Sequence, residues 1–200
     1  MIRALVLDYG GVLSTPQDDR ERAAMASVLG CTIDELHHAY WAHRGDYDRG
    51  GLGAAGYWDA VAQTVGGRIE DGQLDGLVRS DIRSWSRLQP RVVDWVRAAA
   101  ARVPLALLSN MPREVRDGLR PTIEQAAPFA HTVFSCDVGV VKPDAAIYAH
   151  TASLLDVPAH HILFVDDRIE NVEGARGSGM AAVHVTGLAD LEREVGPLLG

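Results

Sequence analysis

Six residues have side chains suited to phosphoryl transfer: Asp8, Ser109, Asn110, Lys142, Asp166 and Asp167. Each lies at or just beyond the end of a short apolar run. Asp8 closes IRALVLD, Ser109 and Asn110 close VPLALLSN, Lys142 follows HTVFSCD within VVKPD, and Asp166 and Asp167 close HILFVDD. A carboxylate can attack phosphorus and carry the group as an aspartyl-phosphate, which divides one hard hydrolysis into two easier steps. Its charge opposes the approach of an anion, so a cation must bridge them. Mg²⁺, held by one or two carboxylates together with phosphate and water, meets that demand. An ammonium neutralises further phosphoryl charge, while a hydroxyl and backbone N–H groups bind the equatorial oxygens. On this reading Asp8 is nucleophile and metal ligand, Asp167 or Asp166 is the second ligand, Lys142 is the neutraliser, and Ser109 with Asn110 holds the phosphoryl group. The expected partner is a small phosphorylated molecule.

The elements that must position these residues are legible in the same runs. Continuous apolar segments at 2–8, 103–110, 131–137, 161–167 and 180–187 suit strands buried on both faces of a parallel sheet. Helix-like stretches at 90–101, 112–127, 144–155 and 168–178 alternate with them, which predicts right-handed crossovers and an α/β, Rossmann-like doubly wound sheet. In such a sheet ligands bind beyond the carboxyl ends of the strands, where the six residues fall.

The first strand breaks the rhythm, because the segment after it is helical rather than extended. Residues 19–30, 32–44, 54–66 and 70–85 carry apolar positions at helical spacing, and Thr32 with Glu35 forms a capping box. Residues 16–87 therefore read as an inserted helical module, with residues 1–15 and 88–200 forming the α/β core.

In that order and on those elements, LVLDYGGVL, LALLSN, VGVVKPD and FVDDRIENVEGARGSGM resemble the four motifs of the haloacid dehalogenase superfamily. The insertion resembles the α-helical cap of the branch that includes sugar phosphatases and the epoxide hydrolase phosphatase domain. The resemblance implies a hydrolase, with Mg²⁺ as cofactor and a cap closing over small substrates. It also implies a main-chain metal ligand two residues after the nucleophile, here the carbonyl of Gly10.

One departure lies in the same stretch. Phosphatases of the superfamily place a second Asp at that position, which protonates the leaving alcohol and then activates water. Here the position is Gly10. Three explanations stay open: a substrate whose leaving group needs no proton, a substitute from the cap among His43, Asp46 and Asp48, or a protein with weak or no turnover that binds or regulates. Haloacid dehalogenases also lack the second Asp, but the Asp166-Asp167 pair suits a cation better than a metal-free attack on an anionic haloacid.

The remaining features narrow the class. A net charge of −8, with 19 basic residues spread along 200, disfavours nucleic acid and anionic membrane as partners. No apolar stretch approaches the roughly 20 residues of a membrane span, and Cys31 and Cys136 form no CxxC pair, so a cytoplasmic protein with reduced thiols is expected. GLGAAG at 51–56 matches a dinucleotide fingerprint in letters, but no apolar strand precedes it. Tyr40, Trp41, Tyr47, Tyr57 and Trp58 are expected mainly in the core of the inserted module. Arg44 either meets an anionic substrate or forms a surface ion pair.

Overall fold

The computed structural model describes residues 1–199 of the chain. Five parallel strands, β1 (Ala4–Leu7), β2 (Leu105–Ser109), β3 (His131–Phe134), β4 (Ile162–Asp166) and β5 (Ala181–His184), form one sheet in the order β3-β2-β1-β4-β5. The central strand β1 registers Leu5 and Leu7 against Leu105 and Leu107 on one side and Leu163 and Val165 on the other. Side chains alternate across the sheet. Leu5, Leu7, Leu105, Leu107, Leu163 and Val165 accordingly build one core, while Ala4, Val6, Ala106, Leu108, Ile162 and Phe164 build the other. Both faces are buried, which is why these strands read as unbroken apolar runs.

Helices complete the layers. α5 (Pro90–Ala99) and α6 (Arg113–Ala126) place Val92, Val96, Val115, Leu119 and Ile123 on the first core. α8 (Ala145–Leu155) and α9 (Ile169–Gly177) place Ile147, Tyr148, Val172 and Ala175 on the second, and a one-turn helix, α7 (Ser135–Val138), follows β3. Because β2 lies on one side of β1 and β4 on the other, the chain reverses its direction of travel across the sheet beside β1. That switch point is where an open α/β sheet leaves a crevice for ligand.

Between β1 and α5 the chain forms four helices: α1 (Asp19–Leu29), α2 (Ile33–Asp48), α3 (Ala54–Thr64) and α4 (Gln73–Ser84). Asp18 caps α1 and the Thr32–Glu35 capping box opens α2. Their shared core contains Leu36, Tyr40, Tyr47, Tyr57, Trp58 and Leu77, with the Tyr47 and Tyr57 rings stacked at 4.2 Å. Several boundaries differ from the expected ones: the run 131–137 is strand only to Phe134, where α7 begins, and the run 180–187 only over Ala181–His184. α4 begins at Gln73 rather than 70, because Gly72 turns the chain with φ +83°. α2 continues through Gly45 to Asp48, four residues past the expected end. Two interactions extend it: Tyr47 is buried in the insertion core, and Asp48 accepts from Arg44 at i,i+4 spacing.

The two connections between insertion and sheet run side by side. Thr15 N donates to Arg87 O at 2.8 Å, Gln89 N donates to Leu13 O at 2.9 Å, and Ser14 bridges Leu88 in antiparallel sense. Among the described residues, no helix is long and apolar enough to cross a membrane.

Ser135 joins the insertion to the sheet end. Its hydroxyl donates to the carbonyl of Asp48 at 2.6 Å and accepts from Met111 N at 2.9 Å, and all three groups are buried. Replacing Ser135 by Ala strands a buried donor and a buried acceptor. The expected cost is about 1–3 kcal/mol, measurable as a lower urea midpoint with an unchanged slope.

Candidate active site

Asp8 follows β1 directly. Its carboxylate Oδ1 accepts from Tyr9 N at 2.7 Å and pairs with Lys142 Nζ at 2.9 Å. Lys142 arrives from the loop after α7 and is buried to 4% exposure. Its ammonium also donates to Asp166 Oδ2 at 2.6 Å and to Leu108 O at 3.0 Å. Three acceptors thus meet the three hydrogens of the ammonium. Burial alone would pull the lysine's proton affinity down, but Asp166 and Asp8 outweigh it and hold the group above its ordinary value.

Asn110 holds the lysine's backbone. Its Nδ2 donates to Lys142 O at 3.0 Å and its Oδ1 accepts from Lys142 N at 2.8 Å. Asn110, expected among the substrate-binding residues, lines the cavity with its amide bonded to the Lys142 main chain. Ser109 opens with Asp8 onto one cavity of about 640 Å³. Asn171, one turn into α9, donates to both oxygens of Asp166 at 3.0 Å.

The adjacent acids at the end of β4 differ. Asp166 has no solvent exposure, and its oxygens accept from Lys142, Asn171 and Arg168 N. Asp167 faces the cavity. Oxygens of Asp8, Asp166 and Asp167 lie within 4.8 Å of one another, around a single ammonium. Burial and the two neighbouring carboxylates push Asp8 up to about 7 against the pull of Lys142, and burial with Asp166 raises Asp167. Such a surplus of hard oxygen donors is what a small divalent cation neutralises, so the residues fit Mg²⁺. Asp8 and Asp167 open onto the cavity, whereas Asp166 is engaged by Lys142 and Asn171.

The paired glycines have different causes. Gly11 has φ +72°, and a Cβ there would stand 2.0 Å from Asp167 Oδ2. Gly10 has φ −67°, which any residue can adopt; a Cβ there would lie 3.2 Å from the Trp85 ring. Unusual backbone therefore explains Gly11 alone, and the indole of Trp85 occupies the space beside Gly10.

The insertion supplies much of the opposite wall, including Trp41, Arg44 and Asp48, with Trp85 at the end of α4. Trp41 is partly exposed at the cavity, whereas Tyr40, Tyr47, Tyr57 and Trp58 are buried in the insertion core. Arg44 also lines the cavity, but it is not the surface pair considered from sequence. It is buried, donates from Nε to Asp48 at 2.7 Å, and bonds through Nη1 to Asp81 at 3.1 Å and to the Tyr40 hydroxyl. Sequence reasoning passed over Asp81 and Trp85; the insertion's polar core has no linear motif to mark it.

A family model for haloacid dehalogenase-like hydrolases matches residues 2–179. The chain belongs to that family. Among curated relatives, this haloacid dehalogenase-like hydrolase is 25% identical over 189 residues to a sesquiterpene phosphatase of Aspergillus oryzae, covering 92% of this chain and 90% of the relative. It is also 25% identical over 201 residues to a drimenol cyclase of Aspergillus calidoustus, where it covers 100% of itself and spans only 37% of the relative. In fold it is similar to a family enzyme of Bacteroides thetaiotaomicron crystallised with magnesium and inorganic phosphate, at TM-score 0.75 and 16% identity, over 92% of this chain and 94% of that one.

The glycine contrast is testable. Gly11→Ala should destabilise the fold by about 1–2 kcal/mol from backbone conformation alone, with the clash at Asp167 added. Gly10→Ala should cost less than Gly11→Ala, since only the Trp85 ring must yield. Thermal unfolding of the two variants beside the parent checks the order.

Proposed function

We propose that the chain is a Mg²⁺-dependent phosphatase that hydrolyses the phosphate monoester of a small, largely apolar alcohol through an aspartyl-phosphate on Asp8. The observation that carries this reading is the placement of Asp8, with Oδ1 fixed by Lys142 Nζ and Tyr9 N, next to Asp167 on a cavity of about 640 Å³. Fixing one oxygen leaves the other to attack in a defined direction, which is the orientation effect that makes nucleophilic catalysis efficient.

Each remaining role follows from position. The hydroxyl of Ser109 holds an equatorial phosphoryl oxygen, and Lys142 offsets negative charge without leaving its two carboxylates. Asn110 positions Lys142 through its main chain, and Asp166 with Asn171 fixes the ammonium. Asp8, Asp167 and the carbonyl of Gly10 would hold Mg²⁺, which when bound supplies charge neutralisation of the phosphoryl group. Arg44 stays with its carboxylates and keeps the insertion wall in place.

The substrate class rests on the wall chemistry. Trp41, Trp85, Met111, Val115 and Val141 line the cavity and offer apolar contact area beside its polar groups, which suits the apolar body of such an ester. Similarity over nearly the full length to a protein named a sesquiterpene phosphatase favours the same class. The insertion, residues 16–87, acts as a cap over this substrate.

Phosphate release from prenyl, linear alkyl and sugar phosphates tests the proposal. Turnover should require Mg²⁺, stop with EDTA, fall by about 10⁴-fold or more in Asp8→Asn, and favour the apolar esters. Turnover on none of these substrates in the parent protein would overturn it.

A further inference from the structure

The family position for the general acid is Gly10, and the three cap candidates for a substitute have separate fates. His43 is turned to Thr64, with Nε2 at 2.8 Å from its hydroxyl, and does not line the cavity. Asp46 is 67% exposed at its side chain and pairs with Arg49 on the surface. Asp48 is 6% exposed and lines the same cavity as Asp8.

Within the buried cluster, two carboxylates share one guanidinium. Asp81, with no exposure, accepts from the Tyr40 hydroxyl at 2.7 Å and from Arg44 Nη1 at 3.1 Å. Asp48 Oδ1 accepts from Arg44 Nε, and its other oxygen has no hydrogen-bond partner among the described residues. That oxygen is also absent from the fully enclosed polar atoms lacking a partner, which are the Tyr47 hydroxyl and Trp58 Nε1. It therefore reaches the cavity. Ser135 fixes the Asp48 main chain from the sheet side.

We propose that Asp48 is the general acid and base of this site, replacing the carboxyl group missing at Gly10; the proposal rests on the phosphatase reading above. In the first step an oxygen of Asp8 bonds to phosphorus as the ester P–O bond breaks. The departing electron pair stays on the alcohol oxygen, which takes the proton of Asp48. In the second, a water oxygen bonds to phosphorus as the P–O bond to Asp8 breaks, and the water's proton returns to the Asp48 carboxylate.

The surroundings give Asp48 a proton to lend. Burial, opposed by Arg44 and helped by Asp81, pushes its carboxyl up to about 6, with Arg168 a weaker opposing charge. Asp48 is also the last residue of α2, where the negative end of the helix disfavours an anion. Tyr40, Tyr47 and Tyr57 pack around the same guanidinium. A carboxyl group in this range donates and accepts readily near neutral pH.

The test compares an alkyl phosphate with p-nitrophenyl phosphate, whose leaving group needs no proton, in the parent and in Asp48→Asn. The variant should lose about 10²–10⁴-fold in single-turnover alcohol release from the alkyl ester. It should lose far less in the first turnover of nitrophenol, and should then accumulate the aspartyl-phosphate on Asp8, visible by mass spectrometry of the intact protein. Equal losses on both esters without accumulation would assign Asp48 a structural role and overturn the proposal. The parent provides a second measurement that needs no variant: both esters need the Asp8 carboxylate alike, so the ratio of single-turnover alcohol release to nitrophenol release falls as pH rises through about 6. Absence of that fall also overturns it. Failure of the parent to release phosphate from either ester instead overturns the phosphatase reading.

Discussion

The ammonium of Lys142 is the charge on which the site depends. Withdrawn from water, it survives as a cation because Asp8, Asp166 and the Leu108 carbonyl surround it. Removing one partner from such a buried set costs about 3–5 kcal/mol, far more than a surface ion pair contributes. This constraint explains much around it. β1, β2 and β4 must lie side by side so that their ends reach one point, Asn110 must grip the lysine's backbone, and Asn171 must hold Asp166. The alternating apolar residues of the strands bring these ends into register.

A second buried cation follows the same logic in the insertion. Arg44 is to Asp48 and Asp81 what Lys142 is to Asp8 and Asp166. In each cluster the Asp without exposure has its oxygens engaged, while the other keeps contact with the cavity. Burial favours a neutral group unless partners compensate. Asp8 and Asp48, incompletely compensated, are accordingly held above the ordinary carboxylate range by burial.

Much of this was legible in the sequence because it is local. Unbroken apolar runs gave the five strands within a few residues, and helical spacing gave the insertion. The positions of Asp8, Ser109 and Asp167 follow from strand ends, whereas Lys142 lies beyond α7 and was marked by its VVKPD segment. What was hidden depends on contacts between distant segments. Asp166 and Asp167 are neighbours in sequence, and only the engagement of one by Lys142 and Asn171 distinguishes them. Asp48 was one candidate among three, because the burial of Tyr47 that carries α2 past residue 44 is a tertiary effect. Arg44 read equally well as exposed or substrate-facing until Asp81, thirty-seven residues later, closed on it.

The indole of Trp85 beside Gly10 ties two remote positions to one parcel of space. It is also anchored from behind, where Nε1 donates to the Tyr40 hydroxyl at 3.2 Å. A side chain at 10 and the ring at 85 therefore draw on the same space, and the hydrogen bond from behind sets how far the indole can swing aside to make room in the cleft.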